Sequence, residues 1–232
     1  MRIKSYYLLL LVILVGACKK DNYPAPSCTF NGRIVYNGEA IGVSQQDVYF
    51  ELWEPGWATK VPINVAVNQD GSFSSLLFPA AYKLVIPASQ GPFKSKQDGT
   101  THTDTIQVNI TGNQTMDIEV LPYYMIRTPK FTAAGKKITA TCKLEQILKG
   151  TDARDVEQVV LYLAKTQFAD KKNNIRDAVV NGGDITDPNN ISLQADVPDI
   201  VPAQNYVYAR IGVKISGVED MIFTPVEKVQ LQ

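Results

Sequence analysis

Apolar residues recur at every second position along most of this chain, and that period decides what it can become. Val48, Phe50 and Leu52 alternate with Tyr49, Glu51 and Trp53. Val61, Ile63, Val65 and Val67 repeat the pattern, as do Ile106, Val108 and Ile110, and then Met116, Ile118 and Val120. Ile138, Ala140, Cys142 and Leu144 follow, then Ile191, Leu193, Ala195 and Val197. Successive side chains of a strand point to opposite faces, so such short stripes mean strands with one buried face. The strongest stripe is Val207, Ala209, Ile211, Val213 and Ile215, with Tyr206, Tyr208, Arg210 and Lys214 on the opposite face. Turn formers separate the stripes: Asn37-Gly38, Asn68-Gln69-Asp70-Gly71 and Thr111-Gly112-Asn113. These residues accept positive φ or bond their own backbone.

No helical period is visible in the first half of the chain. Asp152 to Lys165 also fits an amphipathic helix, but the density of Val, Leu and Tyr at 159–163 favours a strand from about Val156. The expected class is therefore all-β, with two small antiparallel β-sandwich domains in tandem. A chain of 232 residues exceeds one domain of about 100–150 residues. The division falls into residues 27–122 and 123–232.

The start of the chain has a different character. Arg2 and Lys4 precede a ten-residue apolar run from Tyr6 to Val15, and Val15-Gly16-Ala17-Cys18 closes it. A basic end, a short apolar core and small residues describe an export signal over residues 1–17. A spanning helix needs about 20 apolar residues, more than this run supplies before Lys19-Lys20. The cysteine after the small pair resembles the lipobox of bacterial lipoproteins. That resemblance implies acylation of Cys18 and a membrane held through lipid. Residues 18–26 then read as the lipidated cysteine and a flexible, proline-bearing tether. Lysines followed by Asp21 resemble the surface-export signal of Bacteroidetes lipoproteins. This implies an outer membrane lipoprotein at the cell surface, with the periplasmic face as the other address.

The first domain resembles the carboxypeptidase-regulatory, transthyretin-like sandwich. The residues that carry the likeness are Gly32-Arg33-Ile34-Val35, Gly38-Glu39-Ala40-Ile41, Asn68-Gln69-Asp70-Gly71-Ser72-Phe73 and Phe78-Pro79-Ala80-Ala81-Tyr82-Lys83-Leu84. Ala81 stands where that family usually has glycine. In the second domain, Pro202 to Ile211 resembles the penultimate strand of a fibronectin type III domain, and Thr224-Pro225-Val226 the start of its last strand. Tyr206 is then either a tyrosine-corner residue or a plain strand tyrosine. The whole chain resembles a family of Bacteroidetes lipoproteins carrying a domain of unknown function, encoded beside starch-utilisation-type transporters and surface binding proteins. The resemblance implies a role in capturing nutrient, above all glycan. It transfers no catalytic or binding residue.

Composition narrows the classes further. The chain carries 23 basic and 23 acidic residues, interspersed, which argues against a nucleic-acid partner. Cys28 and Cys142 lie 114 positions apart. They read either as two separate buried thiols, the reading favoured here, or as a disulfide between domains. No cysteine–histidine cluster suggests zinc, and no cofactor is expected.

Trp53 and Trp57 flank Glu54 at a strand end running into Pro55-Gly56. Flat rings stack on the apolar faces of sugars, and a carboxylate between them bonds hydroxyls. Trp53, Glu54 and Trp57 are therefore the candidate ligand platform, against a reading in which the rings cap the core. His102, the single histidine, sits in a polar loop without partners for catalysis. Asp184, Asp187, Asn189 and Asn190 could hold calcium, but they are also ordinary turn residues. Asp104-Thr105-Ile106 resembles the O-glycosylation acceptor of exported Bacteroidetes proteins, which marks Thr105. No catalytic set is evident, so the expectation is a non-enzyme. It is either a carbohydrate-binding accessory of an uptake system or a structural adaptor touching transporter subunits.

Overall fold

The computed structural model describes residues 24–56, 59–100 and 103–231. Among them the first domain has strands β1 (Cys28–Tyr36), β2 (Glu39–Ala40), β3 (Tyr49–Trp53), β4 (Ile63–Ala66), β5 (Ser72–Leu77), β6 (Ala80–Val85), β7 (Phe93–Ser95), β8 (Ile106–Ile110), β9 (Gln114–Thr115) and β10 (Ile118–Pro122). The second has β11 (Tyr124–Ala134), β12 (Lys137–Gln146), β13 (Val156–Ala164), β14 (Arg176–Asn181), β15 (Ile191–Asp196), β16 (Tyr206–Ile215), β17 (Ile222–Phe223) and β18 (Glu227–Gln230). The fold is all-β, as the alternation requires. Residues 156–164 are strand, not helix.

In the first domain one sheet runs β4-β3-β6-β8, and the other is built around β1. The first half of β1 pairs antiparallel with β5, and its end with β2. Its pairs with β9 and β10 are parallel, within an otherwise antiparallel domain. The cause is connectivity. The chain crosses from β8 in the opposite sheet before reaching β1, and a crossover can return in the same direction. Phe73 fixes the centre of the core, 5.3 Å from Phe30 and 4.8 Å, edge-on, from Phe50. Such pairs add about 0.5–1.5 kcal/mol each beyond area burial.

The Asn68–Gly71 turn behaves as its residues demand. Asp70 accepts hydrogen bonds from the Ser72 amide at 3.0 Å and the Ser72 hydroxyl at 2.7 Å. Gly71 has φ +82°, and a Cβ there would lie 2.5 Å from the Ile41 carbonyl oxygen. Tyr82 is buried and its hydroxyl donates to the Phe78 carbonyl at 3.0 Å, four residues upstream. One stripe behaves differently from expectation. Val65 and Val67 are buried, whereas Val61 and Ile63 are 69% and 40% exposed, because that end of the stripe overhangs the sandwich.

The second domain packs a sheet β11-β12-β15 against β14-β13-β16-β17, with β18 also on β16. β13 is buried on both faces from Val159 to Ala164. Val159, Leu161 and Leu163 join the sandwich core, while Val160 and Tyr162 pack with Met221 and Phe223 on the other side. This explains the apolar run at 159–163, where alternation fails. A strand covered on both faces has no polar face to display. In β11 the register slips between Arg127 and Lys130, around Thr128 at φ +46°. This is a β-bulge on an edge strand, where Pro129 is tolerated because no ladder bond is lost.

Cys28 and Cys142 are both buried and free, so the reading as separate thiols stands. Burial pushes the Cys142 thiol up to about 11, which keeps it protonated and inert at neutral pH.

Candidate functional site

Alternation along β3 places Phe50 and Leu52 in the core and leaves Tyr49, Glu51 and Trp53 half-buried on the outer face. Register then assembles a surface. Trp53 lies opposite Lys83 of β6, and Lys83 opposite Gln107 of β8, so these three form one row across the sheet. Glu51 aligns with Asn64 of β4 on one side and Val85 of β6 on the other. Lys83 and Gln107 are exposed.

The Trp53 indole N–H donates to Glu51 Oε2 at 2.8 Å. Glu51 and the ring therefore lie on one face of β3. Residues two apart share a strand face, whereas neighbours do not. The Glu54 carboxylate lies instead near Tyr82, whose phenol is raised by burial first and by that charge second. Trp57, the second candidate ring, lies outside the described residues, as do Cys18 and His102.

Thr105 is half-buried immediately before β8. It lines an open cleft of about 720 Å³ with Gln107, Lys96, Asp117 and Glu119. Gln107 belongs to both the Trp53 row and this cleft, so the sheet face runs into the cleft at the β8 edge. Within it, Asp117 holds the Arg33 guanidinium at 2.6 Å and also accepts the Arg33 amide. The Arg33 hydrogen bond keeps the Asp117 carboxyl below the usual aspartate range. The pair is exposed, and such pairs add little stability.

The acid-rich loop after β14 serves as a set of turns. Asp187 accepts the Asn189 amide at 2.8 Å, and Asp184 accepts the Asn181 side-chain amide at 3.1 Å. Tyr206 carries the Lys228 ammonium 3.8 Å above its ring and meets Tyr208 edge-on. The hydroxyl-to-upstream-carbonyl bond of a tyrosine corner is made in this chain by Tyr82.

On the face of β16 opposite its apolar stripe lies the one fully buried cation among the described residues. Arg210 of β16 is 1% exposed. Its Nε donates to the Thr224 carbonyl at 2.7 Å within the second domain. Nη1 and Nη2 donate to the Val43 and Gln69 carbonyls of the first domain at 3.1 and 2.6 Å. Its guanidinium carbon sits 4.4 Å from the centre of the Phe223 ring. Burial pulls its pKa down to about 10, against the upward pull of Asp170 and Asp70, so it stays charged at neutral pH. Beside it the Phe223 amide bonds the Gly42 carbonyl at 2.9 Å. A Cβ on Gly42 would lie 2.5 Å from the Phe223 carbonyl oxygen. Asp220 accepts the Gly91 amide at 2.7 Å, and ion pairs join Lys172 to Asp47, Arg127 to Glu39 and Lys94 to Asp152. Gly212, two residues on, leaves room for the Phe223 ring, which a Cβ there would meet at 2.7 Å.

The molecule is thus a two-domain all-β protein whose halves are joined by a buried arginine and whose first domain displays an aromatic-bearing sheet face. Comparison with known proteins places it more closely. Residues 28–121 match the model described as the N-terminal domain of a protein of unknown function, DUF3823, and residues 124–228 match DUF3823_C, a domain of unknown function. The chain belongs to the DUF3823 family. A family member of known structure from Parabacteroides merdae is 32% identical, with 90% of this chain and all of that one covered and a TM-score of 0.75. Another, from Bacteroides ovatus, is 30% identical over 89% of this chain and all of that one, with a TM-score of 0.77. The fold is also shared with a Bacteroides uniformis protein described as a candidate carbohydrate binding protein, 19% identical, covering 89% of this chain and all of that one, TM-score 0.69. No curated protein matches the chain.

Proposed function

We propose that this protein is a non-catalytic, carbohydrate-binding accessory of a glycan-uptake system, anchored to the outer membrane through lipid on Cys18 and displayed at the cell surface. The observation that carries the binding role is the Trp53 row. A half-buried indole is held by Glu51 at 2.8 Å and stands in register with an exposed lysine and an exposed glutamine. A ring fixed before the ligand arrives loses little entropy on binding. Lys83 and Gln107 supply hydrogen-bonding groups for hydroxyls, and the cleft at the β8 edge continues the path for a chain of sugars. The candidate carbohydrate binding protein from Bacteroides uniformis has the same fold. The order of basic, apolar and small residues before Cys18 supports export and anchoring.

The test is affinity gel electrophoresis of the mature chain against a panel of plant and host polysaccharides. Wild-type protein is slowed by at least one of them, and Trp53→Ala loses at least tenfold in affinity for it. Migration unaffected by every polysaccharide, or equal retardation of the Trp53→Ala variant, overturns the reading. Co-purification of transporter subunits without any such retardation supports the adaptor role in its place.

A further inference from the structure

We propose a second ligand site in the second domain, a cleft that takes one neutral hexose residue, such as a glycan end. It builds on the carbohydrate-binding reading but uses neither Trp53 nor any other residue of the first domain. The cleft has a volume of about 420 Å³, within the range of small-ligand pockets, about 300–1,000 Å³. It opens where β12 ends and β13 begins. Leu144, Ile185 and Pro188 give it apolar walls, and Tyr124, Gln146 and Asp155 bring the polar groups.

Each polar group suits a sugar. The Tyr124 hydroxyl donates to the Arg154 carbonyl at 2.9 Å, which pins the ring in place. The Asp155 side chain is exposed, so its carboxylate can accept from hydroxyl donors. A carboxylate accepting from neighbouring hydroxyls forms charge-assisted bonds, roughly twice as strong as neutral ones. Gln146 offers both a donor and an acceptor. Asp155 is the only charged residue on the lining, so an anionic sugar meets repulsion there. That selects a neutral pyranose over a uronic acid.

The two glycines on the lining separate fold from cleft. Gly182 is dictated by packing, since a Cβ would lie 1.7 Å from the Val156 carbonyl oxygen. Gly183 has no such constraint, because a Cβ there meets nothing within 4 Å. Its lack of a side chain keeps the cleft open without serving the packing around it.

The experiment is saturation-transfer NMR on the mature chain carrying Trp53→Ala, which removes the first-domain platform, with the methyl glycosides of glucose, galactose, mannose and glucuronic acid. At least one neutral glycoside receives saturation and the glucuronide receives none. In that background Gly183→Trp abolishes the transfer and Asp155→Asn weakens affinity about tenfold. An unaltered thermal midpoint in Gly183→Trp shows that the cleft, not the fold, was changed. Transfer that persists in Gly183→Trp, equal transfer to the glucuronide, or no transfer to any neutral glycoside overturns the proposal. If polysaccharide retardation is lost in Trp53→Ala while every monosaccharide stays silent, the cleft fails and the carbohydrate-binding role survives.

Discussion

Arg210 shows how one side chain can join two domains. Its three nitrogens answer three carbonyls, two of them across the boundary. Methionine would fill much of the space but leave those carbonyls without donors, and a buried unsatisfied group costs about 1–3 kcal/mol. Arg210→Met is therefore expected to destabilise the protein by about 3 kcal/mol or more, read as a lower denaturant midpoint. Lysine would not rescue it, because an ammonium lacks the planar fork that spans separated acceptors. Asp220 works against stability in a way that depends on pH. Burial raises its carboxyl above the usual aspartate value, despite the Gly91 amide it accepts. A raised folded pKa means the favourable contribution is present at low pH and is lost as pH rises through that value. Above that value the group is charged and partly desolvated. Asp220→Asn keeps an acceptor for Gly91 and sheds the charge, so it raises the thermal midpoint at pH 7. The gain shrinks at pH 3, where the wild-type carboxyl is protonated too. Equal gains at both pH values would refute this account.

Among the elements, β11 shows local strain put to use. Thr128 is β-branched, precedes proline and sits at φ +46°, a conformation L residues other than Asn, Asp and Gly seldom adopt. The register slip it creates follows Arg127, which pairs with Glu39 of the first domain and with Glu145. Thr128→Gly keeps the bulge and removes the side-chain clash, so stability should rise by roughly 0.5–1 kcal/mol. A lower or unchanged midpoint in urea would show that the threonine is not strained. The same scale explains where the period-two signal was legible. It located β3, β8, β12 and β15 from their one-sided burial, and β16 from the stripe on one face although Arg210 on the other is buried too. It blurred at β13, which has cover on both faces, and at Val61 and Ile63, where the stripe runs past the core.

As a whole, the molecule is expected to unfold in one step. The hydrophobic core runs continuously from Phe30 and Phe50 of the first domain to Ile211 and Val213 of the second. Arg210, the Gly42–Phe223 pairing and the Asp220–Gly91 bond reinforce it across the boundary. Calorimetry should therefore give one transition whose calorimetric and van't Hoff enthalpies agree. Arg210→Met should separate it into two. Two transitions in the wild-type protein would show that the domains melt independently.

The sequence alone determined what depends on neighbours along the chain. Alternation specified strands, and Asp70-Gly71 specified its turn. Period two also puts Glu51 on the strand face of Trp53. Tertiary structure decided what depends on residues far apart in sequence. It buried Arg210, because Val43 and Gln69 reach it from the other domain, and no local pattern distinguishes a covered outer face from a solvated one. It also opened a cleft between Tyr124, Asp155 and Gly183, three positions that only the packing of one sheet on another brings together.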